Sequence, residues 1–408
     1  MPSKKVQKID ENLLIERLAA FKPEPLVKVE RPLKTQSQIE ISSVIEDDNT
    51  IDLAKSNFLN ILNNKDIQKT CESTIRKYGV GTCGPRAFYG TTDVHLELEE
   101  HIAKFLGMQE SIVYSYGFVA ISSSIAAYCK RSDVVFTDTN CNIAIQQGLQ
   151  MAKCTIVYFD HQQPETFAAA VRQINEKEKD RKKRARKFLV VEGVSWKTGK
   201  ILPLPQFLKI AEDNKIRVFL EESYSIGVLG EKGKGLMEHF NIEPWRLDMI
   251  IATLEAAIGS IGGFCAGSHM TIEHQRLSGS GYIFSASLPT FLVQACIESI
   301  NLLEAKPHHK LRKLSQNFQD ILLDIGYEVQ SDPLCPFKVF NIKESGSDER
   351  KAKEIKIYDY CKQKGLYLIL KEYGLLINLN VNLYDDKKKF EKIEQILRNV
   401  HEKVKLEN

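Results

Sequence analysis

Strong charge bias, paired-cysteine motifs and internal repeats are all missing from this 408-residue sequence. Its 56 lysines and arginines are nearly balanced by 53 acidic residues, so the net charge is only +3. This balance argues against nucleic acid as a partner, because nucleic-acid-binding proteins carry clustered basic residues. None of the nine cysteines has the C-x-x-C spacing of a zinc or redox site. We therefore expect reduced thiols, a cytosolic environment and no metal centre.

Long apolar segments are also scarce. The N-terminal residues MPSKKVQKIDENLL are charged and lack the apolar core of a secretory signal. The uncharged stretch Ser111–Cys129 has about the length of a membrane span, but it holds five serines and three tyrosines and is interrupted at Gly117. We expect a buried strand, a tight turn and the start of a helix there, and no transmembrane segment in this chain.

The chain is long enough for two or three domains. Residues 1–49 are predicted to form an amphipathic helix (Asn12–Phe21) and a proline-punctuated arm (Lys22–Leu33). Residues 50–305 alternate short β-rich runs with longer helical ones, which predicts an α/β domain with a mostly parallel central sheet. Residues 306–408 are predicted to form a small α+β domain.

The predicted elements follow the hydrophobic periodicity of each segment. The strands of the large domain are predicted at Ser111–Tyr114, Val134–Thr137, Thr155–Phe159, Lys187–Val191, Arg217–Leu220, Met249–Ala252 and Gly263–Ala266. Helices are predicted at Val94–Phe105, Ile145–Met151, Thr166–Glu178, Leu204–Asn214 and Thr290–Leu303. The last domain is predicted to hold strands Glu328–Gln330, Phe337–Asn341 and Leu375–Asn380, and helices Lys310–Ile325, Glu354–Lys364 and Lys387–Val404.

A glycine-rich segment, Tyr78–Gly90, has the sequence YGVGTCGPRAFYG. Four glycines and a proline are incompatible with a regular helix or a central strand. Such backbone can approach a ligand or a neighbouring subunit closely, yet the pattern matches neither the P-loop nor the dinucleotide fingerprint. A purely structural loop remains the alternative.

Two adjacent carboxylates, Glu221 and Glu222, end a hydrophobic strand in the segment VFLEESYSIGVLG. Ligands bind at the carboxyl ends of strands in open parallel sheets. Either glutamate could bond a protonated ring nitrogen or an arginine, and strand alternation directs the two to opposite sides. A salt-bridged strand end is the alternative.

Two further segments combine glycines or hydroxyl residues with strands and helices. Asp248–Gly267 reads as a strand, a glycine-rich turn and a second strand, and Gln275–Pro289 precedes a helix. Ser285 and Ser287 stand just before that helix, where N–H groups favour phosphate, although simple capping is equally expected. Residue chemistry alone thus predicts an α/β protein with a site at strand carboxyl ends.

The order of these segments resembles the α-oxoamine synthases, a family of fold-type I pyridoxal-phosphate (PLP) enzymes. Within it, KYGVGTCGPRAFYGTTDVHLELE and HQRLSGSGYIFSASLP resemble the group of first long-chain-base subunits of serine palmitoyltransferase. The resemblance runs from about Phe21 to the C-terminus. It implies an aspartate-aminotransferase-like fold and condensation of L-serine with palmitoyl-CoA to 3-ketodihydrosphingosine, the first step of sphingolipid biosynthesis.

The sequence departs from catalytic members of that family where their chemistry resides. Their Thr-Phe-x-Lys-x-Phe-Gly segment aligns with Thr253–Gly259, so Ala256 replaces the lysine that binds the cofactor as an imine. No other lysine lies between Lys234 and Lys306. The family's aspartate, its following histidine and its ring-stacking histidine align with Glu221, Tyr224 and Asn142. We therefore expect no catalytic residue in this chain and a vestigial cofactor pocket formed by Asn142, Glu221, Tyr224, Thr253 and Ala256.

The resemblance implies that such a chain completes the active site of a partner. In this family the cofactor lies between protomers, so PLP would be bound covalently by the catalytic second long-chain-base subunit in a heterodimer. Cys83 would face the partner's site, with a buried packing role as its alternative. The residues carried over to this interface are Cys83, Gly84, Arg86, Tyr282, Phe284, Ser285 and Ala286. Small regulatory membrane subunits and attachment to the cytosolic face of the endoplasmic reticulum, through the partner, are implied as well.

Two other functions remain open at this stage. One is a self-sufficient homodimeric α-oxoamine synthase whose lysine comes from elsewhere in the chain. The other is a purely scaffolding or regulatory subunit that contributes nothing to the partner's site.

Overall fold

The computed structural model describes residues 50–180, 184–305, 309–344 and 346–406. The amphipathic helix and arm predicted within residues 1–49 lie outside these residues. The strands are β1 (Ile51–Asp52), β2 (Glu110–Tyr114), β3 (Val134–Asp138), β4 (Thr155–Phe159), β5 (Lys187–Glu192), β6 (Arg217–Glu221), β7 (Met249–Thr253), β8 (Gly263–Gly267), β9 (Tyr327–Val329), β10 (Phe337–Ile342), β11 (Leu366–Tyr367), β12 (Ile369–Lys371) and β13 (Gly374–Asn378).

The helices connect these strands. They are α1 (Lys65–Tyr78), α2 (Asp93–Leu106), α3 (Gly117–Tyr128), α4 (Ile143–Ala152), α5 (Pro164–Lys177), α6 (Leu204–Asp213), α7 (Leu236–His239), α8 (His269–Ser278), α9 (Ser280–Ile283), α10 (Thr290–Ala305), α11 (His309–Ile325), α12 (Ser347–Gln363) and α13 (Lys387–Leu406). Short 3-10 turns lie at Ile61–Asn63, Pro244–Arg246 and Val381–Tyr384.

A seven-stranded sheet in the order β2-β8-β7-β6-β5-β3-β4 forms the centre of the fold. Strands β3 to β7 run parallel to one another, whereas β8 is antiparallel to both β7 and β2. The prediction of a mostly parallel sheet is therefore confirmed, and all seven predicted strands are present with bounds that differ by at most one residue at either end.

Helices cover both faces of this sheet, as parallel strands require. Successive strand residues alternate between two apolar clusters: Val135 and Phe188 pack with α3 and α4, while Phe136 and Leu189 pack with α5 and α6. This alternation explains why β3 and β5 read as almost continuous hydrophobic runs.

The C-terminal residues form a four-stranded antiparallel sheet in the order β12-β13-β10-β9. Helices α11, α12 and α13 pack on it around a separate apolar cluster that includes Phe318, Phe340 and Leu397. The predicted α+β character is confirmed here, although β11 and β12 are too short to show a pattern in the sequence. Strand β1 pairs in parallel with β11, through Ile51 and Leu366.

The uncharged stretch at 111–129 forms a strand, a turn and a helix as predicted, because β2 ends at Tyr114 and α3 begins at Gly117. Throughout the described ranges, every helix is too short or too polar to cross a bilayer.

Candidate functional site

The carboxyl ends of neighbouring parallel strands bring four polar side chains to one edge of the central sheet. Asp138 ends β3, Glu192 ends β5, Glu221 ends β6 and Thr253 ends β7. Glu192 and Glu221 are direct register partners on adjacent strands. The sequence predicted Glu221 and Thr253 at this site but missed Glu192, although it ends its strand in the same way and precedes a glycine.

Asn142 is held between a helix and one of these carboxylates. Its Oδ1 accepts a hydrogen bond from the Ile145 amide at 2.9 Å, which caps α4, and its Nδ2 donates to Glu192 Oε1 at 3.1 Å. The same Glu192 oxygen accepts from the Trp196 amide at 3.3 Å. Asn142 therefore has both ends of its amide engaged within this chain.

Glu221 lies at the centre of a second network. Its Oε1 accepts from the amide of Ser223 at 3.0 Å and, over a short distance, from the Ser223 hydroxyl. That hydroxyl oxygen in turn accepts from the Thr253 amide at 2.9 Å. The network ties the ends of β6 and β7 together.

Burial is the main cause of the raised pKa values of Glu221 and Glu192. Burial raises the pKa of Glu221 to about 7, against the opposing effect of the Ser223 hydrogen bonds. Burial also raises the pKa of Glu192 well above its ordinary value, and the charge of Glu221 adds to that rise. Burial and mutual repulsion on adjacent strands therefore disfavour the state in which both carboxyl groups are ionised.

Glu222 has an environment of its own, as strand alternation predicts. Its carboxylate accepts from the Leu236 amide at 3.1 and 3.2 Å and from the Ser225 hydroxyl. A Cβ on Gly235, whose φ is +93°, would lie 2.7 Å from Glu222 Oε2, so glycine permits this close approach. Burial raises the pKa of Glu222 to about 8.

Tyr224 and Ala256 close the predicted cofactor pocket with apolar surface. The Tyr224 ring packs edge-on against Phe337, with centroids 5.1 Å apart, and burial followed by the charge of Glu221 raises its pKa. Ala256 is only 5% exposed, belongs to the main apolar cluster and accepts a hydrogen bond from the Phe58 amide at 3.2 Å.

These residues do not fit a covalently held PLP. An imine needs a primary amine at the cofactor aldehyde, and Ala256, at the position that the resemblance assigns to that amine, offers a methyl group. The most deeply buried lysine in the described ranges, Lys338, belongs to β10, and its Nζ donates to Gln319, to the Asp332 carbonyl and to the Pro333 carbonyl at 3.0 to 3.1 Å. Its amine is thus already bonded to α11 and to the loop between β9 and β10.

The glycine-rich loop and the segment before α10 are joined to each other. Pro85 and Ala286 form an antiparallel bridge, and the Ser287 amide and hydroxyl both donate to the Gly84 carbonyl, at 2.9 and 3.1 Å. The Ser115 hydroxyl donates to the Ala286 carbonyl. Two segments about 200 residues apart therefore form one surface.

The hydroxyls of Ser285 and Ser287 serve this surface and not the following helix. Ser285 donates to the Gly281 carbonyl, and Ser287 donates to the Gly84 carbonyl. The alternative of two side chains capping α10 is wrong, because neither hydroxyl oxygen accepts a hydrogen bond from an N–H of α10 among the described residues.

Arg86 points into the chain. Its Nη1 donates to Glu99 Oε1 at 2.8 Å and to the Val113 carbonyl at 3.3 Å, and its Nε donates to Thr91 Oγ1 at 3.0 Å. The guanidinium also lies 5.5 Å from the ring centroid of Tyr282, which is itself buried. Arg86 and Tyr282 thus support the joined segments from their buried side.

The outer side of the joined segments carries exposed apolar groups. We name Val80, Phe88, Tyr89 and Phe284, each at least 58% exposed, the loop patch. Cys83 is also exposed and has a left-handed φ of +54°, so the alternative of a buried packing residue is wrong. Apolar side chains grouped in this way on a surface indicate a protein interface.

The fold is that of the fold-type I PLP-dependent enzymes, and it resembles the fold of a serine palmitoyltransferase from Sphingomonas wittichii with a TM-score of 0.80. That similarity covers 88% of each chain at 24% identity. Residues 48–370 match the model of the class I and II aminotransferase family.

The chain belongs to this family and, within it, to the group of long-chain-base biosynthesis 1 and serine palmitoyltransferase 1 proteins. It is 39% identical to long chain base biosynthesis protein 1b of Oryza sativa subsp. japonica over 338 residues, which cover 80% of this chain and 69% of that protein. It is 36% identical to serine palmitoyltransferase 1 of Dictyostelium discoideum over 378 residues, covering 89% of this chain and 78% of the relative.

Proposed function

We propose that this chain is the non-catalytic subunit of a heterodimeric serine palmitoyltransferase. Its relatives carry the names serine palmitoyltransferase 1 and long chain base biosynthesis protein 1. The assembled enzyme would condense L-serine with palmitoyl-CoA, and a lysine-bearing second long-chain-base subunit would hold PLP. Membership of the complex would place the chain at the cytosolic face of the endoplasmic reticulum, where small regulatory membrane subunits would join it.

Ala256 is the observation that carries the proposal. It follows β7, at the carboxyl edge of the sheet, in the segment where catalytic relatives have their lysine, and it lies buried among apolar side chains. The nearest lysines in sequence are Lys234 and Lys306. An enzyme chain of this fold without that amine needs a companion that supplies it.

The loop patch supports an interface role for the same chain. Phe284 is 79% exposed and Tyr89 is fully exposed, on two segments that are joined by a backbone hydrogen bond from Ser287 to Gly84. Burying such rings against a partner contributes favourable free energy of association. In this role Cys83, Gly84, Phe284, Ser285 and Ala286 form the surface, whereas Arg86 and Tyr282 stiffen it.

Co-expression with a lysine-bearing homologue from the same source tests the division of labour. After borohydride reduction in the presence of PLP, mass spectrometry of both subunits is expected to find the pyridoxyl adduct on the homologue and none on this chain. Condensation activity is expected only from the pair. A pyridoxyl adduct on this chain, with turnover by the chain alone, would support the homodimeric enzyme instead.

A matched pair of surface variants tests the interface. Phe284→Asp is expected to reduce copurification of the partner at least tenfold, because it places a charge in the loop patch. Trp245→Asp is the control: Trp245 is 76% exposed but lies just before β7, at the opposite, amino edge of the sheet. Equal copurification of both variants would contradict the assignment of the loop patch to the interface.

Two further variants separate site completion from scaffolding alone. Cys83→Trp and Ser285→Ala are expected to change kcat or amino-acid preference of the pair while assembly is retained. Unchanged kinetics in both variants, with intact assembly, would favour a purely scaffolding subunit.

A further inference from the structure

A basic cleft lies at the amino edge of the central sheet, the opposite edge from the vestigial pocket. Its volume is about 570 Å³, within the roughly 300–1,000 Å³ of sites that bind small molecules. Its walls come from the end of α5, the residues that lead into β5, and the turn from α6 into β6. Only two carboxylates, those of Glu178 and Asp213, line it. The basic side chains that line it are those of Lys179, Arg184, Arg186, Lys187, Lys215 and Arg217.

Polar contacts tie the walls of the basic cleft together. Asn175 Nδ2 donates to Asn214 Oδ1 at 2.9 Å, which joins α5 to the residue that follows α6. Lys187 Nζ donates to Asn175 Oδ1 at 2.5 Å and lies 3.2 Å from Glu178 Oε2. The Glu178 carboxylate is buried and also accepts from the Ala185 amide at 3.2 Å. The backbone that carries the basic side chains is therefore held in place before any ligand arrives, which lowers the entropic cost of binding.

Most of the positive charge in the cleft is not neutralised within the described residues. Arg186 pairs with Asp133 at 2.6 Å, and Lys187 pairs with Glu178. Four more basic side chains are exposed and form no ion pair within the described ranges: Lys179, Arg184, Lys215 and Arg217. These four charges are opposed by the Asp213 carboxylate and by the carboxyl ends of α5 and α6, each of which is equivalent to about −0.5 charge. The cleft therefore keeps an excess of about two positive charges.

A phosphate group matches this excess. At neutral pH a phosphomonoester carries about −1.5 to −2 charges and three strong acceptor oxygens. The guanidinium groups of Arg184 and Arg217 can each bond two phosphate oxygens at once, and Lys215 adds a point charge. Because the basic groups line one concave site, they suit a compact anion better than an extended polymer.

We propose that the basic cleft binds a compact phosphate-bearing anion with at least two negative charges, held by Arg184, Lys215 and Arg217. Soluble polyphosphates and phosphorylated lipid headgroups share this chemistry. None of the lining residues belongs to the loop patch or to the vestigial pocket, so the site requires neither PLP nor a partner subunit.

Calorimetric titration of the purified full chain tests the site, with inorganic pyrophosphate as the probe and acetate, which carries a single charge, as the comparison. Pyrophosphate is expected to bind at least tenfold more tightly than acetate, and its affinity is expected to fall as ionic strength rises. Absence of pyrophosphate binding, or binding as weak as that of acetate, would overturn the proposal.

A matched pair of double variants locates the binding. Arg184→Gln/Lys215→Gln removes one exposed cation from each of two walls and is expected to weaken pyrophosphate binding at least tenfold. Arg172→Gln/Lys209→Gln is the control, because it removes the same two charges from exposed positions on α5 and α6 that do not line the cleft. Equal affinity of the two double variants for pyrophosphate would refute the assignment.

Sedimentation with phosphatidylcholine vesicles that contain phosphatidylinositol 4-phosphate distinguishes the two sources of phosphate. If a lipid headgroup fills the cleft, the vesicles sediment more of the parent than of Arg184→Gln/Lys215→Gln, and pyrophosphate reduces the difference. If the two sediment equally while pyrophosphate still binds the parent in solution, the ligand is a soluble phosphate.

These measurements are independent of the proposed function. Loss of the heterodimer assignment would leave pyrophosphate binding intact, and absence of that binding would leave the heterodimer intact. If the chain purifies only with its companion, the difference between pairs carrying the two double variants isolates the cleft from any anion site of the companion.

Discussion

Replacing Arg86 by methionine tests how the loop patch is held in place. Arg86 and Glu99 form an ion pair of 2.8 Å whose side chains are only 4% and 6% exposed. Glu99 Oε1 also accepts from the Val113 amide at 2.8 Å. Arg86→Met leaves the Glu99 carboxylate buried without its cation, and breaking a buried pair in this way costs about 3–5 kcal/mol.

A second substitution separates charge from packing. In the double variant Arg86→Met/Glu99→Gln no buried charge is left, and the glutamine oxygen can still accept from the Val113 amide. The remaining loss is that of the hydrogen bonds from Arg86 to Thr91 and Val113, about 1–2 kcal/mol in total. The double variant is therefore expected to be more stable than Arg86→Met alone.

Urea-induced unfolding, followed by circular dichroism, measures both variants. With a dependence on urea of about 3 kcal/mol/M, a loss of 3 kcal/mol lowers the midpoint by about 1 M. Partner copurification should fall with Arg86→Met and recover in the double variant. A double variant as unstable as the single one would refute the reasoning, since an unpaired charge would then not be the cause.

Three other expectations follow from local geometry. Gly84→Ala should lower the melting temperature, because the added Cβ would lie 2.6 Å from a loop carbonyl oxygen. The Cβ of Gly81→Ala would meet no atom within 4 Å, so this variant should keep the parent melting temperature. Equal effects of the two substitutions would contradict the crowding argument. The pKa of Glu221 is about 7 in the folded chain and about 4.3 in the unfolded chain. As the pH rises from 5 to 7, the parent should therefore lose stability relative to Glu221→Gln by up to about 1.4 kcal/mol per pH unit. Parallel dependence of the two unfolding free energies on pH would exclude this. Asn142→Ala should lower the free energy of unfolding by more than the roughly 1 kcal/mol of a lost helix cap, because it also removes a hydrogen-bond donor to Glu192. Asn64→Ala, which removes a helix cap alone, is the reference in thermal melts.

The order of elements could be predicted from the sequence because it depends on local patterns. Buried parallel strands such as β5 are nearly continuous apolar runs, and amphipathic helices such as α6 repeat apolar residues every three or four positions. Helix α1 was missed because it is rich in charged and polar residues and buries only Ile67 and Thr74. Strands β11 and β12 were missed because two or three residues are too few to show a period.

The proposed absence of the amine rests on the sequence alone, since Ala256 stands where the resemblance places the cofactor-binding lysine. Contacts between distant segments were not visible from the residues themselves. The inward turn of Arg86 toward Glu99, the bond from Asn142 to Glu192 and the approach of Tyr373 to the end of β5 depend on how the strands are ordered. Composition and periodicity report the surroundings of a residue along its own helix or strand, but register and sheet order decide which buried charges meet, and those are properties of the folded chain.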